Sequence, residues 1–297
     1  MTTAPGNAAT LRARAEGAVA ALPPLLAEAE RLAASVVLGE HGRRRAGMGE
    51  TFWQYRRAEP GDAFSAIDWR RSARSDRLYI RQTEWEAAQN VYLWVDQAQA
   101  MDFRSASAPV SKSDRAAILA LALAIGLNRG GERFGLIGTS AAVPKPGRGQ
   151  VDMIARALVA EGPRPDFGAP PLSRLIGGSR AVFLSDYLGP RDALIAQIGQ
   201  AADQGVRGAI VQVLDPAEQD FPFDGRTIFE SMAGTLRYET DRAKSLRSAY
   251  QDRLAARQDD LRDLAKRTGW LYLGHITDQA PRAALLWLYG ALEGFRT

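Results

Sequence analysis

The run N-V-Y-L-W-V-D at Asn90–Asp96 decides the fold. Val91 to Val95 are apolar without interruption, so neither side of this segment is written for water, and an acid closes it. A short unbroken apolar run of this length reads as a strand buried on both faces. The same pattern returns in A-V-F-L-S-D at Ala181–Asp186 and in G-A-I-V-Q-V-L-D at Gly208–Asp215. Arg133–Thr139 and Trp270–Leu273 read as further strands. Helical spacing lies between them, at Ser113–Asn128 (capped by Ser113 and Asp114, stopped by Gly130-Gly131), Gln150–Ala160 and Pro190–Gln204. Asp241–Arg267 and Arg282–Leu292 read as the last helices. Thr227–Met232 and Thr235–Tyr238 read as a short hairpin around Gly234. Buried strands alternating with helices predict an α/β fold. Its sheet is mainly parallel and Rossmann-like, with helices on both faces.

Upstream the pattern is different. Residues 1–10 read as disordered, and Leu11–Leu38 as helical but interrupted by Pro23-Pro24. A proline pair starts a helix better than it continues one, so a second helix is predicted from Pro24 to Val37. Gly39, Gly42, Gly47 and Gly49 mark a loop. Residues 50–88 read as irregular and rich in Arg and Trp, apart from a strand at Leu78–Glu86. The division expected is an N-terminal helical and irregular extension, residues 1–88, followed by an α/β domain, residues 89–297.

Composition removes several function classes. The 297 residues include no cysteine, which excludes disulfides, thiolate zinc sites and thiol nucleophiles. With His41 and His275 as the only histidines, a two-histidine metal site or a histidine triad has almost no material. No apolar run approaches the roughly 18 residues of a spanning helix, and the N-terminus lacks the regions of a signal peptide, so cytoplasmic residence is the expectation. His41 reads as solvated, and His275, after Gly274, as a loop histidine. No phosphate-binding G-x-x-x-x-G-K-[ST] occurs. The net charge of +4 is uneven: residues 43–81 hold ten arginines against Glu50, Glu59, Asp62, Asp68 and Asp76. Interleaved in this way, the charges favour internal ion pairs over a nucleic-acid face.

In an open parallel sheet, ligands gather at the carboxyl ends of the strands. Asp96, Asp186 and Asp215 all end strands, and together they could hold a divalent cation. From spacing alone, aspartates that cap the following loops or helices are the favoured reading.

Three stretches carry a resemblance. They are R-R-A-E-P-G-D at Arg56–Asp62, I-D-W-R-R-S-A-R at Ile67–Arg74, and L-Y-I-R-Q-T-E-W-E at Leu78–Glu86. In order and spacing they resemble the signature of the domain-of-unknown-function-58 family. The positions matched are Arg56, Gly61, Asp62, Ile67, Asp68, Trp69, Ala73, Arg74, Arg81, Glu84 and Glu86. Departures are Ala58 for the family tyrosine, and Ser65-Ala66 for the arginines before I-D-W. The resemblance implies a von Willebrand factor type A-like domain. In working type A adhesion sites, a D-x-S-x-S motif, a threonine and a further aspartate hold a divalent ion. This chain reads D-Q-A-Q-A-M from Asp96 to Met101, with Ala98 and Ala100 in place of both serines. Pro165 stands in place of the threonine, and Asp186 matches the further aspartate. A degenerate metal site is therefore expected. It would bind no ion tightly, and a neighbouring Arg would relieve the repulsion between Asp96 and Asp186.

For the signature residues a structural role is favoured. Arg74 and Arg81 would pair with Asp62, Asp68, Glu84 or Glu86, and Trp69 would be a core indole. The resemblance further implies association with a MoxR-type AAA+ ATPase in the assembly or maturation of complexes, with a client protein as a second partner. The function expected is a non-enzymatic interaction or adaptor module without a cofactor. The alternatives are a metal-dependent hydrolase, or nucleic-acid binding through residues 43–81.

Overall fold

In the computed structural model, the residues described are 23–36, 46–47, 51–59, 62–74, 77–84 and 88–294. Expectations for residues 1–22, for His41, Gly61 and Glu86, lie outside them. Two compact units are present.

The larger unit joins helix α1 (residues 23–35) to everything from residue 89 onward. Its core is a five-stranded sheet of β4 (Asn90–Val95), β5 (Arg133–Leu136), β6 (Arg180–Ser185), β7 (Arg207–Leu214) and β10 (Leu271–Ile276). The order is β10-β7-β6-β4-β5, and every pairing is parallel. From β4 the chain winds one way to β5 and then the other way to β6. This places the topological switch between β4 and β6, where open α/β sheets form their binding crevice.

Helices cover both faces. Tyr92 and Trp94 of β4, Phe183 of β6 and Ile210 of β7 point to one side. There they meet Leu194 and Ile198 of α5 (Asp192–Asp203) and Leu261 and Leu264 of α7 (Arg247–Thr268). Phe183 is fully buried, edge-on to Trp94 at 5.6 Å and to Trp270 at 5.3 Å. Alternation sends Val91, Leu93 and Val95 to the opposite side, which is packed by α3 (Lys112–Arg129), α4 (Arg148–Val159) and α8 (Pro281–Gly294). Helix α3 is apolar around most of its circumference because it is buried from Ile118 through Leu127. Ser111 caps it, accepting from the Asp114 amide, two residues before the cap read from sequence.

In this unit the structure departs from the sequence reading at two further places. Helix α6 (Pro216–Asp220) follows β7 directly, and β10 extends three residues beyond Leu273. That extension corrects the reading of His275. It lies in a strand, 3% exposed, with Arg115 Nη1 3.4 Å from its Nε2. Burial, together with the Arg115 charge, lowers its pKa to about 4. A base that is harder to protonate when folded takes its proton on unfolding. Its contribution is whole above the unfolded value, near 6.5, and drains as the pH falls toward 4. Urea unfolding is expected to lose on the order of 2 kcal/mol between pH 7 and pH 5 from this group, and His275→Gln to remove that part of the slope. Equal slopes for the two proteins would contradict it.

The second unit lies within residues 38–88. It holds a three-stranded antiparallel sheet, β1-β3-β2, of β1 (Ala46–Gly47), β2 (Thr51–Arg57) and β3 (Tyr79–Glu84); β3 matches the strand read at Leu78–Glu86, whereas β2 replaces an expected irregular stretch. The four-residue helix α2 (Trp69–Ser72) sits before β3. β2 was missed because T-F-W-Q-Y-R-R mixes aromatics, well suited to strands, with charges that obscure a period of two.

Candidate functional site

The signature segment builds the smaller unit from within. Arg56 and Asp62 form a two-pronged pair at 2.6 and 2.5 Å, and the Glu59 amide adds a third bond to the carboxylate. The guanidinium first, then that amide, hold Asp62 at about 2. Asp68 caps α2, accepting from the Arg71 amide at 2.9 Å and from the Tyr55 hydroxyl at 3.2 Å. Ile67 is buried and bridges to Ile80, and Ala73 ends α2. Arg81 and Glu84 are placed as backbone positions of β3.

Trp69 is corrected: the indole is 57% exposed. A single helical turn buries one face only, and here that face is Ser72. Its hydroxyl donates to Asp68 O and accepts from the Tyr79 amide. Arg74 is exposed, while Arg71 stacks over Tyr55 and Tyr79 at 5.4 and 5.7 Å. With its carboxylate acting as a helix cap, Asp68→Ala is expected to cost about 1 kcal/mol. A thermal or urea melt indistinguishable from that of the unmodified protein would contradict the capping role.

The other site is the carboxyl edge of the large sheet. Asp96 leaves β4 and Asp186 leaves β6, one on either side of the switch, and Asp215 follows β7. All three are buried. Asp96 Oδ1 accepts from the Ala98 amide at 2.8 Å and Oδ2 from the Ser185 hydroxyl at 2.6 Å. Burial nevertheless raises its pKa. Gly168 passes so close that a Cβ there would lie 1.9 Å from Asp96 Oδ1. The Ala98–Ala100 turn is tied to the 164–167 loop: the Gln99 and Ala100 amides donate to Pro165 O and Asp166 O, both at 2.9 Å. Asp215 caps α6 through the Ala217 amide, and Glu218 returns to the Asp215 amide, a capping box. The D-P-A-E spelling of this box, with proline at the first helical position, is the signal by which the missed helix α6 could have been found.

The cation at this edge is Lys112, in the first turn of α3, and not the expected arginine. Its ammonium is 1% exposed and lies 2.7 Å from Asp186 Oδ2 and 2.5 Å from Glu218 Oε1. Burial opposes its charge, but Asp186 and Glu218 outweigh burial and raise its pKa. Burial also pushes Glu218 upward, against the pull of Lys112. Gln212, fully buried, donates to Asp186 O at 2.9 Å and accepts from the Tyr272 hydroxyl at 2.6 Å. The chain turns sharply around this group: among the described residues, Tyr187 and Phe221 are the non-glycines with positive φ, and both flank it.

These residues do not fit a divalent cation. Magnesium needs about six oxygens near 2.1 Å. Ala98 and Ala100 supply no side-chain oxygen, both Asp96 oxygens already accept internal bonds, and an ammonium sits against Asp186. Above the charged group opens a cavity of about 970 Å³, walled by Phe103, α6, the start of α7, and a hairpin of β8 (Thr227–Glu230) and β9 (Arg237–Thr240). No described helix is long and apolar enough to cross a membrane.

An uncharacterized protein of Mycobacterium tuberculosis and another of Mycobacterium bovis are each 26% identical to this chain over 257 residues, covering 82% of it and 80% of the relative. Two solved structures share more distant likeness, each covering 70% of this chain and all of the other. One is an aerotolerance-related membrane protein from Bacteroides fragilis, with 14% identity and a TM-score of 0.43. The other is the conserved hypothetical protein BatB from Bacteroides thetaiotaomicron, with 13% identity and a TM-score of 0.40. The family model described as a protein of unknown function, DUF58, matches residues 54–260, well over half of the sequence, and the chain belongs to that family.

Proposed function

We propose that this protein is a non-enzymatic interaction module with a von Willebrand type A-like domain, whose metal position is taken by the Lys112 ammonium. The observation that carries the reading is the contact of Lys112 with Asp186 and Glu218 beside the β4/β6 switch. Where type A adhesion sites present an ion to a partner, this edge holds a fixed internal charge beneath an open groove. Every carboxylate of the group is engaged by internal hydrogen bonds, as a helix cap or in the ion pair with Lys112, an arrangement suited to rigidity and not to proton transfer. The partner proposed is a MoxR-type AAA+ ATPase acting on protein complexes, with a client as a further partner. Its support is the resemblance of the signature segment, an associational warrant.

Calorimetric titration with magnesium or manganese is expected to show millimolar affinity at best. Micromolar binding abolished by Asp96→Ala would overturn the metal-free reading. Failure of the purified ATPase to associate at micromolar concentration, with and without nucleotide, would remove the proposed partner.

A further inference from the structure

The groove over Lys112 offers more than an apolar wall. Thr227, Ile228, Phe229, Glu230 and Ser231 all border it, whereas β9 contributes only Tyr238. Side chains alternate along a strand, so five consecutive residues border one cavity only where the strand is met along its edge. The pairing shows what that edge presents. Ser231 N–H donates to Leu236 O at 2.9 Å, continuing the register Phe229↔Tyr238 and Thr227↔Thr240. Bonded positions alternate in an antiparallel pair. Thr227 and Phe229 therefore bond to β9, while Ile228 and Glu230 aim their N–H and C=O groups away from it. Among the described residues, the β8–β9 sheet has no third strand to take them.

The walls state what chemistry fits. Phe229 stacks on Phe221 at 5.6 Å, and Tyr250 lies 4.7 Å from the same ring. Among the described residues, Asp166, Asp186, Glu218 and Glu230 border the groove against Lys112 and Arg253, in a chain whose overall charge is +4. Aromatic faces and surplus carboxylates both attract a cation with an apolar stem. The volume, about 970 Å³, lies at the upper end of the roughly 300–1,000 Å³ of ligand pockets, enough for several side chains.

We propose that this groove binds an extended segment of a partner protein, with alternating apolar and basic residues, by adding it as a strand to the free edge of β8. The proposal rests on the reading of this sheet edge as an interaction face. The probe is a fluorescein-labelled peptide, Leu-Arg-Phe-Arg-Leu-Arg-Phe, with a counterpart bearing Glu for each Arg. Fluorescence anisotropy is expected to give a Kd on the order of 10 μM for the basic peptide and binding about tenfold weaker for the acidic one. Ile228→Pro removes an outward N–H while leaving the bonds to β9, since edge strands tolerate proline there. It is expected to weaken the basic peptide about tenfold. Should that variant fold poorly, the infrared band of a ¹³C-carbonyl-labelled peptide on the unmodified protein reads the same point, by shifting to the β-ladder position on binding. Equal affinity for both peptides, an unshifted band, or no binding up to about 1 mM overturns the proposal. Peptide binding that fails while the ATPase still associates overturns the groove alone. Peptide binding that persists without ATPase association overturns that partner alone.

Discussion

Lys112→Met is expected to cost about 3–5 kcal/mol of stability, the penalty for stranding buried charges when one partner is removed. The side chains of Lys112, Asp186 and Glu218 are 1%, 4% and 15% exposed, so water is in no position to replace the ammonium. Methionine keeps the unbranched stem and all but one heavy atom of the side chain, so the loss reads mainly the charge and not a void. The deficit has a pH signature. Without the cation, the Glu218 carboxylate, which burial already pushes upward, is neutralised more readily in the folded than in the unfolded chain. The variant should therefore recover relative to the unmodified protein as the pH falls through the carboxylate range, and Glu218→Gln in the same chain should restore part of the loss at neutral pH. Thermal melts supply the check: a drop of at least about 6 °C is expected. A shift within about 1 °C would mean that the ion triad contributes nothing net.

Gly168→Ala is the second large effect. The added Cβ would sit 1.9 Å from Asp96 Oδ1 and 2.3 Å from Oδ2. The carboxylate is not a flexible end that swings aside, because the Ala98 amide and the Ser185 hydroxyl hold its two oxygens. Either the 164–167 loop lifts, with loss of the Pro165 and Asp166 carbonyl bonds to the Gln99 and Ala100 amides, or Asp96 gives up its own. A cost of about 3 kcal/mol is expected, at the upper end of overpacking penalties. Alanine at the exposed Gly162, where a Cβ meets nothing within 4 Å, is the control and should change little. Equal stability of the two variants would show that the loop yields freely.

The α/β architecture was legible because each central strand must be apolar on both faces, as V-Y-L-W-V and A-V-F-L show without reference to any partner. Asp96 and Asp186 were legible for a related reason: an acid that closes a buried strand falls at the carboxyl edge wherever the sheet is parallel. Lys112 was not legible. In S-K-S-D it reads as an ordinary solvated residue at a helix start, a place where the macrodipole disfavours a cation. Only the fold brings it to carboxylates 74 and 106 residues away. Strand β2, which pairs with the legible β3, and the exposure of Trp69 were hidden for a different reason. A short, charge-rich segment has too little periodicity to say which side is inside.

That long span has a kinetic consequence. A clasp between residues 112, 186 and 218 closes only after β6, β7 and α6 have found their places, because the loop-closure entropy of such separations is met late in folding. Interactions absent from the transition state leave the folding rate nearly untouched and act on the unfolding rate. Lys112 is thus a latch on an assembled edge and not a nucleus for assembling it. It lengthens the lifetime of the native state, which is the property that resists forced opening and irreversible inactivation.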